Sequence, residues 1–199
     1  MKGLAWLGGI AAAILVVFLM WNGGYSQRVR SYEAGVAQLS QVQNVQQRQF
    51  DLIPNLVTVT REFADHERAV YTQVTEARAK VGQMNLDVSK LAQDPAALQR
   101  LIDAQNSFAG AMSRLIAVAE QYPNVKANDH YLALQSEVAG SVNRIAVERR
   151  RYIEIARDHN ASLKTNFGRW FYSGSFQMLA QFEANPTATQ PFTIAPKQK

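Results

Sequence analysis

The chain has 199 residues, 47% of them hydrophobic and 19% charged, with a formal net charge of +5 and no cysteine. That length holds one ordinary domain plus an attachment. Without cysteine there can be no disulfide framework, thiolate zinc site, iron–sulfur cluster or cysteine nucleophile. The basic residues are scattered, and the run Arg149–Arg151 points three ways around a helix, so no nucleic-acid-binding face is expected.

Residues 3–21, GLAWLGGIAAAILVVFLMW, carry no charge, and about 18 or more such residues are what a helix needs to cross a bilayer core. They read as a transmembrane helix that meets the lipid bilayer. The following WNGGYSQ offers no small-x-small site for a cleaved signal. Trp6 and Trp21 stand near the two ends, where indole rings favour the headgroup region. Gly23 and Gly24 are expected to let the helix end or bend. Ala5, Gly9 and Ala13 form a small-residue stripe that permits self-association. Lys2 precedes the segment while Arg28 and Arg30 follow it. The balance of one charge leans towards a cytoplasmic C-terminal domain and leaves the side of the membrane undecided.

From Tyr25 onward apolar residues recur at helical spacing: Val29, Tyr32, Val36, Leu39, then Phe50, Ile53 and Val57. The run is interrupted by DLIPNLV, and a proline inside a helix costs roughly 3 kcal/mol or more. Asp51 as an N-cap would start a new helix with Pro54 in its first turn, where the amide has no partner to lose. The architectural motif Asp51, Pro54 and Asn55 therefore predicts a break or bend between a first and a second helix. The alternative is one long helix kinked at Pro54.

A further helix starts at DPAALQR, with Asp94 as N-cap and Pro95 at the first helical position. Its core stripe is Leu98, Leu101, Gln105, Phe108, Met112, Leu115 and Ala119, and it stops before Pro123. Asn128 or Asp129 caps the last helix, whose stripe runs Tyr131, Leu134, Val138, Val142, Ile145, Tyr152, Ala156, Leu163. The stretch 83–93 reads as an irregular connection at a bundle end. The predicted class is all-α: an N-terminal transmembrane helix, then an antiparallel up-and-down bundle of four helices, or three if the first is unbroken. The expected organisation is an anchor at 1–24, a bundle at 25–165, an aromatic-rich segment at 166–183 and an extended tail at 184–199.

The aromatic segment gathers Phe167, Trp170, Phe171, Tyr172, Phe176, Met178 and Phe182. It is expected to dock on the bundle, to meet lipid, or to meet a partner, with Trp170, Phe171 and Tyr172 as the contact residues. His66, His130 and His159 lie far apart, and the Glu62–His66 pair lacks a third ligand, so no metal site is expected. Asp65, Glu67, Arg68, Glu76 and Arg78 read as a solvated face of the second helix. No catalytic constellation, cofactor motif or metal motif emerges.

The series RQFDLIPNLV, HE at 66–67, TEAR at 75–78, EQYPNVKAN, NRIAVERRRY and ARDHN resembles the LemA family of bacterial membrane-anchored helical proteins, with QFEA at 181–184 a fainter echo. The resemblance implies one N-terminal transmembrane helix, a soluble four-helix up-and-down bundle and no established catalytic activity. Departures lie at Ile153 and His159, where the family tends to have asparagine after Tyr152 and tyrosine before Asn160. Another is Val142, where it usually has glutamate. The expected function is a non-enzymatic, single-pass protein of the bacterial inner membrane. Its bundle would serve protein interaction or membrane organisation, with self-association or a protein partner. The alternatives are a ligand sensor or enzyme with a site in the bundle, and a binder of anionic lipid surfaces through the aromatic segment.

Overall fold

The computed structural model describes residues 2–84, 87–165 and 176–182, without the side chains of residues 2–5, 7 and 8. Those residues form six helices: α1 (Lys2–Phe63), α2 (Arg68–Gln83), α3 (Val88–Gln93), α4 (Pro95–Gln121), α5 (Pro123–Lys126) and α6 (Asp129–Lys164). The class is all-α.

Helix α1 has 62 residues, a path of about 93 Å along its axis at 1.5 Å per residue. Its N-terminal part is long and apolar enough to cross a membrane. Ile10, Ile14, Phe18 and Met20, which lie around several sides of it, are all exposed, the pattern of a helix solvated by lipid. The helix does not end at Gly23 and Gly24 as expected. Two glycines cost roughly 1 kcal/mol each against alanine, and side chains one turn on hold the local carbonyls: Ser26 Oγ donates to Gly23 O at 3.1 Å and Arg28 Nη1 to Gly24 O at 3.0 Å.

Nor does the helix break at Pro54, which lies inside α1. Asp51 is no N-cap, since its carboxylate accepts from Gln47 Nε2 at 2.8 Å within the same helix. The proline is accommodated by a different device. Pro54 cannot donate to the carbonyl of Phe50, four residues back, and Arg78 Nε, from α2, donates to that carbonyl at 3.0 Å. Arg78 therefore closes the gap in the ladder and ties α2 to α1, instead of lying on a solvated face. Pro54, Asp51 and Asn55 are exposed, so the pyrrolidine ring displaces nothing in the core.

The chain reverses instead after Phe63. Tyr71 Oη donates to Ala64 O at 2.8 Å and fixes the turn; Asp65, placed by sequence on a helix, lies in it. Helix α2 packs mainly on α4, and α6 runs beside α1. Phe50 meets Phe108 edge-on with centroids 5.0 Å apart, joining the α1–α6 pair to the α2–α4 pair. Ile53, Leu56, Val74, Leu98 and Leu115 fill the core. Four long helices, α1, α2, α4 and α6, thus alternate in direction, and the bundle has the expected four-helix count with its first boundary moved by about ten residues.

The caps follow the sequence. Asp94 Oδ1 accepts from the amides of Ala96 and Ala97. Asn128 Oδ1 accepts from those of His130 and Tyr131, which selects Asn128 over Asp129. The stretch 83–93, expected to be irregular, contains α3, which Asp87 caps through Ser89 N. Val142 is exposed and Ser141 is buried in its place. From Val138 the buried stripe steps by three and then four to Ile145, landing on the small serine.

Candidate functional site

The residues that concentrate buried polar chemistry lie at the end of the bundle nearest the apolar segment, the anchor end. There α1 supplies Arg28, Ser31, Tyr32 and Gly35, α3 supplies Ala92 and Gln93, and α6 supplies Tyr152, His159 and Asn160. Together they hold an extended segment, residues 176–182, here called the strap.

A docked extended segment must satisfy its backbone N–H and C=O groups without a sheet, and α6 does most of this with side chains. Asn160 Nδ2 donates to Leu179 O and Asn160 Oδ1 accepts from Leu179 N, each at 2.8 Å. The amide thus copies the paired bonds of a neighbouring strand. Tyr152 Oη donates to Ala180 O at 2.7 Å, and Ala180 N donates to Ala92 O at 2.7 Å. His159 Nε2 lies 3.1 Å from Gln177 O. A carbonyl only accepts, so Nε2 carries the proton; Nδ1 lies 2.7 Å from Ser31 Oγ, which is also 2.9 Å from Arg28 O.

One strap side chain is selected as well. Leu179, 2% exposed, seats against Gly35, where an added Cβ would come 2.4 Å from Leu179 Cδ1. This close approach explains a glycine inside a helical stripe. Aromatic contacts bracket the strap: Phe176 on Tyr25 at 5.2 Å and Phe182 edge-on to Tyr152 at 5.4 Å. Arg28 stands beside it and donates to Ser162 O at 3.2 Å, satisfying a carbonyl in the last turn of α6.

Burial sets the ionisation of this cluster. His159 is held below the ordinary histidine value, first by desolvation and then by the Arg28 charge, against an opposing pull from the Gln177 carbonyl. Desolvation, with a smaller contribution from Tyr32, pushes the Tyr152 phenol up, so it stays a proton donor. Gln93 Nε2 bonds Tyr32 Oη.

A second buried polar chain crosses the bundle: Gln105 Nε2 donates to Gln46 Oε1 at 2.7 Å, and Arg149 Nη2 to Gln105 Oε1. The Arg149 guanidinium also lies 5.6 Å from the Phe182 ring centroid, within cation–π range. Desolvation lowers the Arg149 pKa.

Of the residues singled out by sequence, Asp51, Pro54 and Asn55 form an exposed patch on α1, away from this cluster. Trp170, Phe171 and Tyr172 lie outside the described residues, while Phe176 and Phe182 of the same aromatic segment dock on the bundle. Among the described residues no three His, Asp or Glu side chains gather as metal ligands. Sequence reasoning placed Tyr152 on the core stripe of the last helix and His159 among three scattered histidines, and missed Asn160, Ser31 and Gly35 as parts of a clasp. The available signal was that His159 and Asn160 both fall on the apolar stripe between Ala156 and Leu163.

The chain is 26% identical to the magnetosome protein MamQ of Magnetospirillum gryphiswaldense, over 84% of this chain and 67% of that protein. It is 25% identical to MamQ 2 and MamQ 1 of Paramagnetospirillum magneticum, with the same coverage. The LemA family model matches residues 38–195, a span that includes Arg78, the clasp residues of α6 and the strap. The match takes in well over half of the sequence, and the chain, a membrane-associated protein, belongs to the LemA family.

Proposed function

We propose that the chain is a non-enzymatic, single-pass protein of the bacterial cytoplasmic membrane whose bundle acts as a scaffold for protein interaction or membrane organisation. The observation that carries this reading is the continuity of α1: one helix runs from the apolar segment into the centre of the bundle. An unbroken helix of this kind couples the bundle to the apolar segment without a loop between them. The polar interior supports a scaffold over a ligand sensor, because Gln46, Gln105 and Arg149 bond one another and His159, Asn160 and Tyr152 bond the strap. The magnetosome names of the relatives support a role in membrane organisation.

The test is fractionation of the full chain and of a variant lacking residues 3–21, with carbonate washing. The full chain should stay with the membrane and the deletion variant should be released. Carbonate release of the full chain would overturn the membrane-anchored reading. In the same cells, a cysteine placed at exposed Lys126 in this cysteine-free chain reads the side of the membrane through an impermeant thiol reagent.

A further inference from the structure

The end of the bundle that carries the clasp also faces the apolar segment, and one guanidinium shows how close the two lie. Arg28 donates to Gly24 O at 3.0 Å and to Ser162 O at 3.2 Å, so the last turn of α6 comes level with the Gly24 turn of α1. Gly24 stands three residues beyond Trp21, where the uncharged segment ends, a rise of about 4.5 Å. Phe176, at the start of the strap, meets Tyr25 at the same level. The polar layer on each face of a bilayer is about 5–8 Å thick. With the apolar segment across the hydrocarbon core, the end of α6 and the start of the strap fall inside that layer.

The side chains at this end match it. Residues 22–32, 159–165 and 176–182 contain no Asp or Glu and contribute Arg28, Arg30 and Lys164. Arg30 and Lys164 are exposed, and neither joins an ion pair among the described residues. Asp158, the nearest acid of α6, pairs with Arg157; Glu33, the first acid of α1, lies about 18 Å along the axis from Trp21. Arg30 is about 13–14 Å from Trp21 by the same rise, and its long side chain reaches back towards the layer. Arg28 covers a terminal carbonyl of α6 and Lys164 lies in its last turn, so cations offset the negative end of that helix. Trp21 and Tyr25, both exposed, supply rings that favour this depth.

We propose that the anchor end of the bundle is seated in the headgroup layer of its own membrane and gathers anionic phospholipid there, with Arg30 and Lys164 taking the headgroup phosphates. This rests on the anchored reading of residues 3–21 and gives the scaffold a lipid preference at its foot.

The test places the full chain in vesicles of phosphatidylcholine and phosphatidylglycerol, with a fluorophore on a single cysteine at Ala161, an exposed residue one turn before the end of α6. Nitroxide quenchers sit just below the headgroup of one lipid or the other at equal fraction. A probe at Ile14 in the apolar segment reports the span, and one at Lys126 on α5 sets the unquenched level. The Ala161 probe should be quenched, and more strongly by the phosphatidylglycerol quencher, since each cation raises the local share of anionic lipid about fivefold. Arg30→Gln with Lys164→Gln should bring the two quenchers to about the same effect. Quenching at Ile14 with none at Ala161 would overturn the seating and leave the anchored reading intact. Equal quenching by the two lipids, or a preference that survives both substitutions, would overturn the anionic site. Absence of quenching at Ile14 would overturn the anchored reading itself, and this inference with it.

Discussion

Removing the Arg78 guanidinium should weaken the chain through Pro54 rather than through lost charge. Arg78 Nε donates at 3.0 Å to the Phe50 carbonyl, the acceptor that Pro54 leaves without an amide. Arg78→Met keeps the aliphatic stem and deletes the donor. A bond from a charged donor is worth about 1.5–3 kcal/mol; Arg78 is only half-buried, so the lower end, about 1.5 kcal/mol, applies. For a chain of this size that is a fall of about 3–6 °C in Tm, read by circular dichroism of the full chain in detergent. Pro54→Ala restores the missing amide, so the same Arg78→Met change made in that background should cost less than about 0.5 kcal/mol. The proline also restricts the unfolded chain, which makes the coupling across the double-mutant cycle, about 1 kcal/mol, the decisive quantity. An equal cost of Arg78→Met with and without the proline would refute the carbonyl-rescue argument.

Gly35→Ala puts a methyl against Leu179 Cδ1; overpacking of about 1–3 kcal/mol, offset by roughly 1 kcal/mol of helix propensity, should leave a net loss of up to about 2 kcal/mol, and adding Leu179→Ala, which makes room, should recover part of it in thermal melts. Asp94→Ala removes the acceptor for two amides of α4 and should cost about 1 kcal/mol, again read as a Tm shift. The pH dependence follows from His159, whose pKa in the folded chain lies below its ordinary value of 6.5. The unfolded chain takes the proton first, so the stability associated with neutral His159 is complete above about pH 6.5 and is lost as pH falls through the folded value. Melts between pH 7.5 and 5 (roughly the window in which histidine titrates) should show this loss, and His159→Gln should flatten it.

Helical content, the caps at Asp94 and Asn128 and the buried stripe of α4 could all be read from spacing, because amphipathic period and cap chemistry are local properties. The first helix boundary could not. At Asp51 and Pro54 the local signals for a cap and a stop agree, and the contact that outweighs them comes from Arg78, 24 residues further on in another helix. The same reasoning separates Val142 from Ser141. Both lie within reach of a helical stripe, and the packed face of α6 takes Ser141 and leaves Val142 exposed. The clasp was legible only at Tyr152, which falls on the core stripe of α6. The segment it holds was hidden because an extended segment held by side chains carries no periodic pattern of its own.

Amide hydrogen exchange at Leu179 and Ala180, in the full chain and in Asn160→Ala, reads whether α6 clasps residues 177–180 at the anchor end. Both amides should be protected in the unmodified chain, and Leu179 should lose its protection in the variant, where the acceptor at 2.8 Å is gone. Unprotected amides at both positions of the unmodified chain would show that the strap is not held.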